Sequence, residues 1–276
     1  MANTCVCVTV AGDRPYFRMG RHAVLTALKR TDFDVFLATE PGYRCHVNFP
    51  FSTRLLIKEL FKNEPGHRSR PFLLKLHALQ SCLEHTEADT ILLLDADTAI
   101  VADIDHSEIL RMLDGFDLAM VEQTSIRGST MTRADFLDHY RQHTLAWFNG
   151  PDRSPSLEQF RYYNSGVVLG ARQSFRRLLD WAMPLIAESN RPHQIGQHMI
   201  ADQDYFQYWT NTLHPSCCRQ LPWYWNHCRH WDHGFPHPLA LILHYSNFCM
   251  GPKRFQTMRC ACYEYLLGIK RLLTRP

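Results

Sequence analysis

Leu92-Leu93-Leu94-Asp95-Ala96-Asp97-Thr98 closes an unbroken apolar run, Thr90 to Leu94, with two carboxylates one residue apart. A run without polar alternation belongs to a strand buried on both faces, the strand type of parallel sheets covered by helices. Alternate residues of an extended chain leave on the same side, so Asp95 and Asp97 can reach one cation from the strand's carboxyl end. Hard divalent ions take oxygen ligands and keep positions for phosphate oxygens, which is how Mg2+ or Mn2+ is held beside a nucleotide. Ligands of open α/β sheets collect at that same end.

The flanking sequence repeats the pattern. Thr4 to Val10 is rich in β-branched residues, Ala11-Gly12-Asp13 turns, and Phe17, Val24, Leu25 and Leu28 recur at helical spacing. Asp34 to Ala38 reads as a second strand, ended by Pro41-Gly42, and Leu73 to Leu83 as an amphipathic helix. Later come a strand at Val167 to Gly170, helices at Ser174 to Glu188 and Asp202 to Trp209, a strand at Leu239 to His244 and a closing helix at Arg259 to Leu273. Strands alternating with helices predict an α/β fold, a mostly parallel central sheet flanked by helices. Between them, Ser125 to Ser156 is polar and irregular, with a helix candidate at Asp135 to Trp147. It reads as an acceptor-side lid tipped by Trp147 and Phe148 and mobile before the acceptor binds. The expected organisation is one domain over 1–276: a donor-binding part about 1–124, an acceptor-side part about 125–258 and a C-terminal helix about 259–276.

With 276 residues, 45% hydrophobic and 21% charged, the chain is long and apolar enough for one good core. A net charge of +3 leaves the partner open. Met1 to Val10 has no basic leader, and no apolar run reaches the roughly 18 residues of a membrane span, so a soluble cytoplasmic protein is expected. Ten cysteines in a long chain without a secretion signal read as reduced thiols; Cys5 and Cys7 share one strand face, and Cys260 and Cys262 have the same spacing. The densest Cys/His stretch, His214, Cys217, Cys218, His227, Cys228, His230, His233 and His237, contains no C-x-x-C or H-x-x-x-H pair. It reads as a Trp/His-rich loop over a pocket, with a structural zinc left open.

Several separated segments agree in order and spacing. Lys75-Leu76-His77 precedes Leu94-Asp95-Ala96-Asp97-Thr98 and Asp103-Ile104-Asp105; Asn164-Ser165-Gly166-Val167, Asp202-Gln203-Asp204 and His244-Tyr245 follow. Over roughly Thr4 to Lys253 the chain resembles the glycogenin and lipopolysaccharide galactosyltransferase family of retaining glycosyltransferases with the GT-A (Rossmann-like) nucleotide-sugar-binding fold. The resemblance implies a UDP-sugar donor and a Mn2+ (or Mg2+) ion held by Asp95, Asp97 and His244. An imidazole ligand favours manganese. It implies that Thr9, Val10, Ala11 and Asp13 line the uridine, that Tyr16 stacks on uracil, and that Lys75, Ala96 and Lys253 lie along the donor. It further implies that Asn164, Ser165 and Gly166 shape the sugar pocket, that Asp202 binds sugar hydroxyls and that Gln203 lies near the anomeric carbon. An amide is a poor nucleophile, so front-face attack is preferred, the leaving diphosphate accepting the acceptor's proton. The pattern departs after His244, where Asn247 stands in place of a glycine and Gly251-Pro252-Lys253 comes late.

Two other classes are weighed. A nucleotidyltransferase needs a third carboxylate and a triphosphate cradle, and no G-x-x-x-x-G-K-[ST] is present. A non-catalytic nucleotide-sugar-binding module does not explain why Asp95, Asp97, Gln203 and His244 occur together. The acceptor stays open: a glycan, a lipid-linked sugar, a peptide, a small molecule or a hydroxymethylated DNA base each supplies a hydroxyl. Arg127, Arg133, Arg141, Arg153 and Arg161 keep nucleic acid in view, and Arg259, Lys270, Arg271 and Arg275 keep a peripheral membrane contact in view.

Overall fold

The computed structural model describes residues 3–12, 14–41, 53–60, 73–126, 128–150, 153–188, 194–228, 237–245 and 264–268. The first strand, β1 (Thr4–Val10), leads into α1 (Arg14–Arg30), then β2 (Asp34–Thr39), β3 (Leu55–Glu59) and α2 (Leu74–His85). Next come β4 (Thr90–Leu94), β5 (Thr98–Ile100), α3 (His106–Leu113), β6 (Leu118–Glu122), α4 (Arg133–His139), β7 (Tyr163–Ala171) and α5 (Arg172–Ala187). The order continues through the hairpin β8 (Gln194–Ile195) and β9 (His198–Met199), α6 (Asp202–Tyr208), β10 (Cys218–Leu221), β11 (His227–Cys228) and β12 (Ile242–His244).

Seven strands form the central sheet in the order β10-β6-β7-β4-β1-β2-β3. All the pairings are parallel except the two made by β7, which runs antiparallel to β4 and β6. The period of two decides which side each residue serves: Cys5 and Cys7 pack into the core on one face, Val6, Val8 and Val10 into the core on the other. Every residue of β4 is buried, as its apolar run requires. The cysteines of the described region are free thiols, as expected.

The structure extends the sequence reading. β3, β5, β6 and α3 were not expected, and β7 is longer than Val167 to Gly170 because Tyr163 to Gly166 also lies in the strand. The stretch expected as a mobile lid is largely packed. A Thr132–Asp135 capping box starts α4, which continues through a π-helical turn, Tyr140–Leu145. Trp147 is only 5% exposed and contacts Tyr205 and Phe148, while Phe148 stacks on Tyr208. These rings are core, not the tip of a loop. Among the described residues no helix is long and apolar enough to cross a membrane. The closing helix is described only over 264–268, where Leu267 is buried and Glu264 meets His22 at 2.5 Å. The basic residues Arg259, Lys270, Arg271 and Arg275 lie outside the described residues.

Candidate active site

The sheet grows from β1 toward β2 and β3 on one side and from β4 toward β7, β6 and β10 on the other, so the order reverses between β1 and β4. Such a switch point opens a crevice at the carboxyl ends of the two strands. Val8 pairs with Leu94, which sets Thr9, Val10 and Ala11 at the end of β1 beside Asp95, Ala96 and Asp97 after β4. Gly12 has φ +97°, a left-handed turn that an L side chain resists, and its N–H donates to Glu40 at 2.8 Å.

The two carboxylates do not converge by strand alternation. Residues 95–97 form a tight turn between β4 and β5, in which Thr98 N–H and Oγ1 donate to the Asp95 carbonyl at 3.2 and 2.8 Å. β12 then pairs antiparallel with β5, placing His244 opposite Thr98, and Tyr245 N–H donates to the Asp97 carbonyl at 2.8 Å. His244 Nε2 lies 3.6 Å from Asp95 Oδ2 and 3.4 Å from Asp97 Oδ1. One ligand atom from each of the three residues lies within 4.8 Å of the others, close enough for one ion. His244 Nδ1 faces Asn226 Oδ1 at 3.0 Å, so in the neutral ring this bond leaves the Nε2 lone pair for a metal. The oxygen, oxygen, imidazole set therefore fits Mn2+ or another divalent ion.

Electrostatics agree. Burial favours neutral His244, but the adjacent Asp97 outweighs it, and the imidazole pKa rises to about 9. Burial would raise Asp97, but His244 holds its pKa below the ordinary carboxylate value. The turn thus concentrates negative charge, balanced by the imidazole of His244 and the ammonium of Lys75.

β7 supplies the floor. Its pairing with β6 jumps from Met120–Val168 to Val121–Asn164, so the residues between Asn164 and Val168 leave the ladder as a bulge beside β4. The Gly166 carbonyl accepts from Asp95 N–H at 3.0 Å, and a Cβ on Gly166 would stand 2.2 Å from His244 Cε1. Asn164 is 8% exposed, and its Oδ1 accepts from Gly166 N–H at 2.9 Å and Asn226 Nδ2 at 2.8 Å. Its own amide donates to Gln123 at 2.9 Å. Asn164 therefore braces the imidazole through Asn226. Asn226 and Gln123 were missed in the sequence, where neither belongs to a motif.

Lys75, in the first turn of α2, is buried. Its ammonium reaches Asp95 Oδ1 at 2.6 Å, Asp202 Oδ2 at 3.2 Å and the Ser165 carbonyl at 2.5 Å. An ammonium has three hydrogens, so these contacts compete with the donor contact expected of it. Burial lowers the Lys75 pKa, yet Asp202 and Asp95 more than restore it and keep the charge fixed. Burial raises the pKa of Asp202 against the pull of Lys75. Gln203 Oε1 lies 3.4 Å from Ser165 N–H, and the residue is partly exposed at the same floor. Thr9 Oγ1 is buried without a hydrogen-bond partner among the described residues, and Tyr16, 44% exposed, stands in the first turn of α1 above the end of β1.

Asp13 and Lys253 lie outside the described residues, as do Asn247, Arg127, His230 and His233. Asp103 and Asp105 serve the scaffold, the first pairing with Arg30 at 3.1 Å and the second capping α3. Three of the five arginines expected to form a basic patch have acidic partners within the chain. Arg133 meets Glu122 at 3.1 Å, Arg161 meets the same carboxylate at 3.9 Å, and Arg141 meets Asp138 at 3.5 Å. Among the described residues the 214–237 stretch contributes no three-ligand group.

No protein-family profile matches the chain, and no curated protein matches it by sequence. Solved structures do. Mouse xyloside xylosyltransferase 1, in its apo form, superposes with a TM-score of 0.51 at 18% identity, over 91% of this chain and 99% of that one. The apo bifunctional glycosyltransferase WbbM superposes with a TM-score of 0.54 at 15% identity, over 88% of this chain and 46% of that one. The switch-point crevice and this likeness together identify the architecture as the α/β GT-A fold of glycosyltransferases.

Proposed function

We propose that this protein is a metal-dependent retaining glycosyltransferase that moves a hexose from a UDP-sugar to an acceptor hydroxyl. The convergence of Asp95, Asp97 and His244 at the β1/β4 switch point carries the proposal. Glycosyltransferases are also the fold neighbours, and one of them is named for transfer of xylose to a xyloside. A divalent ion held by these side chains would supply charge for the leaving diphosphate.

The chain's own residues have distinct tasks in this reading. Thr9, whose hydroxyl has no partner among the described residues, and the backbone of Val10 and Ala11 receive the uridine, and the exposed Tyr16 ring covers the base. Lys75 bridges Asp95 and Asp202, which fixes the two carboxylates before the donor arrives. Asp202 and the Ser165–Gly166 bulge face the sugar, and Gln203 borders the carbon that changes partners. Retention follows from the resemblance of the Asp202-Gln203-Asp204 and His244 segments to retaining enzymes.

The test is direct. Incubation with Mn2+ and UDP-glucose, UDP-galactose, UDP-N-acetylglucosamine or UDP-xylose should release UDP slowly, and Asp97→Asn should reduce release at least 100-fold while the circular-dichroism spectrum is kept. Undiminished release by Asp97→Asn in the presence of chelator overturns the metal assignment.

A further inference from the structure

A second group of ligands lies away from the switch point. His139 ends α4 and His143 follows four residues later in the π-helical turn, a spacing that puts both on one face. The β8–β9 hairpin brings His198 against them. Ring centroids are 4.5 Å apart for His139–His143, 4.5 Å for His143–His198 and 5.0 Å for His139–His198. One nitrogen from each ring lies within 4.8 Å of the others, and all three residues are half-buried. His143 Nδ1 is buried with no hydrogen-bond partner among the described residues, a cost that a hydrogen-bonded or metal-bound ring avoids.

The surroundings of His139 and His143 favour the neutral ring. Burial, followed by the neighbouring imidazoles, lowers the pKa of His139 and His143. Asp204 lies against His198, with its two oxygens 3.3 and 3.4 Å from Nε2, so a neutral ring that donates from Nε2 keeps the Nδ1 lone pair as its ligand atom. That carboxylate is itself fixed, accepting from Thr144 Oγ1 at 2.5 Å and Ala201 N–H at 2.9 Å. A carboxylate behind a ligating histidine is the usual outer support of a metal site.

We propose that His139, His143 and His198 bind a divalent transition-metal ion, with Zn2+ preferred, at a second centre distinct from Asp95, Asp97 and His244. Three imidazoles without a hard oxygen ligand suit zinc, whereas the switch-point set suits manganese or magnesium. The ion ties the β8–β9 hairpin to α4, and Asp204 ties it to α6, whose first residue, Asp202, bonds Lys75. The π-helical turn, a local widening often found at functional positions, is what carries His143. The inference rests on these side chains alone and survives failure of the glycosyltransferase reading.

The experiment uses the full chain carrying Asp95→Asn and Asp97→Asn, which removes the switch-point site, stripped with chelator and titrated with Co2+. One equivalent should bind with the visible d–d absorption of a low-coordinate ion, and one equivalent of Zn2+ should displace it. His143→Gln or His198→Gln should weaken Co2+ binding at least 100-fold, and Asp204→Asn about 10- to 100-fold. Unfolding temperatures in chelator control for folding, and His198→Gln on the hairpin stands in should His143→Gln fail to fold. Absence of bound Co2+, or unchanged binding in a folded His143→Gln or His198→Gln protein, overturns the site and leaves a packed histidine cluster only.

Discussion

At the residue scale, Gly166 and His244 are a single packing problem. A Cβ at Gly166 would also lie 2.5 Å from His244 Nδ1 and 3.0 Å from Asn164 Oδ1, so any side chain pushes the imidazole off its Asn226 bond. Gly166→Ala is expected to weaken Mn2+ binding at least tenfold by isothermal titration calorimetry; unchanged affinity would mean that the ring does not ligate. The same histidine gives a pH signature in chelator. Its folded pKa, about 9, lies above the unfolded value near 6.5, so the charged ring stabilises the metal-free fold below about pH 6.5. That contribution, on the order of 3 kcal/mol, disappears as pH rises through 9. Urea midpoints from pH 6 to 9.5 should fall in wild type and flatten in His244→Gln. The Asp95-Ala96-Asp97 pair could be singled out in the sequence as two carboxylates after a buried strand, whereas His244 entered only through the family resemblance. Asn226 and Gln123 were not legible there, because an amide that bonds another amide leaves no pattern.

At the scale of elements, legibility followed apolar periodicity. β1 and β4 stand out because each has both faces covered, whereas β5 is too short to show a period and Leu55–Glu59 carries charges at its end. Asn164-Ser165-Gly166 fell outside the strand expected from Val167, and the bulge explains how such residues belong to β7. The stretch 125–156 misled for the opposite reason: many of its polar residues face solvent, but Phe136, Leu137, Tyr140 and Leu145 make a small core with Phe160, Tyr162 and Tyr208. Trp147→Ala should therefore cost about 3–5 kcal/mol in urea unfolding, the range for a buried aromatic, where an exposed lid residue would cost under about 0.5 kcal/mol. A small value would restore the lid.

At the scale of the whole molecule, the sheet order was only partly readable. Alternation of strands and helices gives an α/β fold, but not the antiparallel β7 in its middle, because pairing direction is set by how the chain returns and not by local pattern. β12 matters most here, since it carries His244 back across the chain to lie beside Thr98. Distance along the chain becomes order in time. Closing so long a loop is entropically unfavourable until the sheet beneath it exists, so β12 docks late and the ion has no complete site in the folding transition state. In stopped-flow denaturant jumps Mn2+ is then expected to leave the refolding limb unchanged and to slow unfolding in proportion to occupancy. Faster refolding in Mn2+ would mean that β12 docks early. On the proposed metal reading, a cation bound last would act as a latch: it would govern how long the finished molecule lasts and leave untouched how quickly it is made.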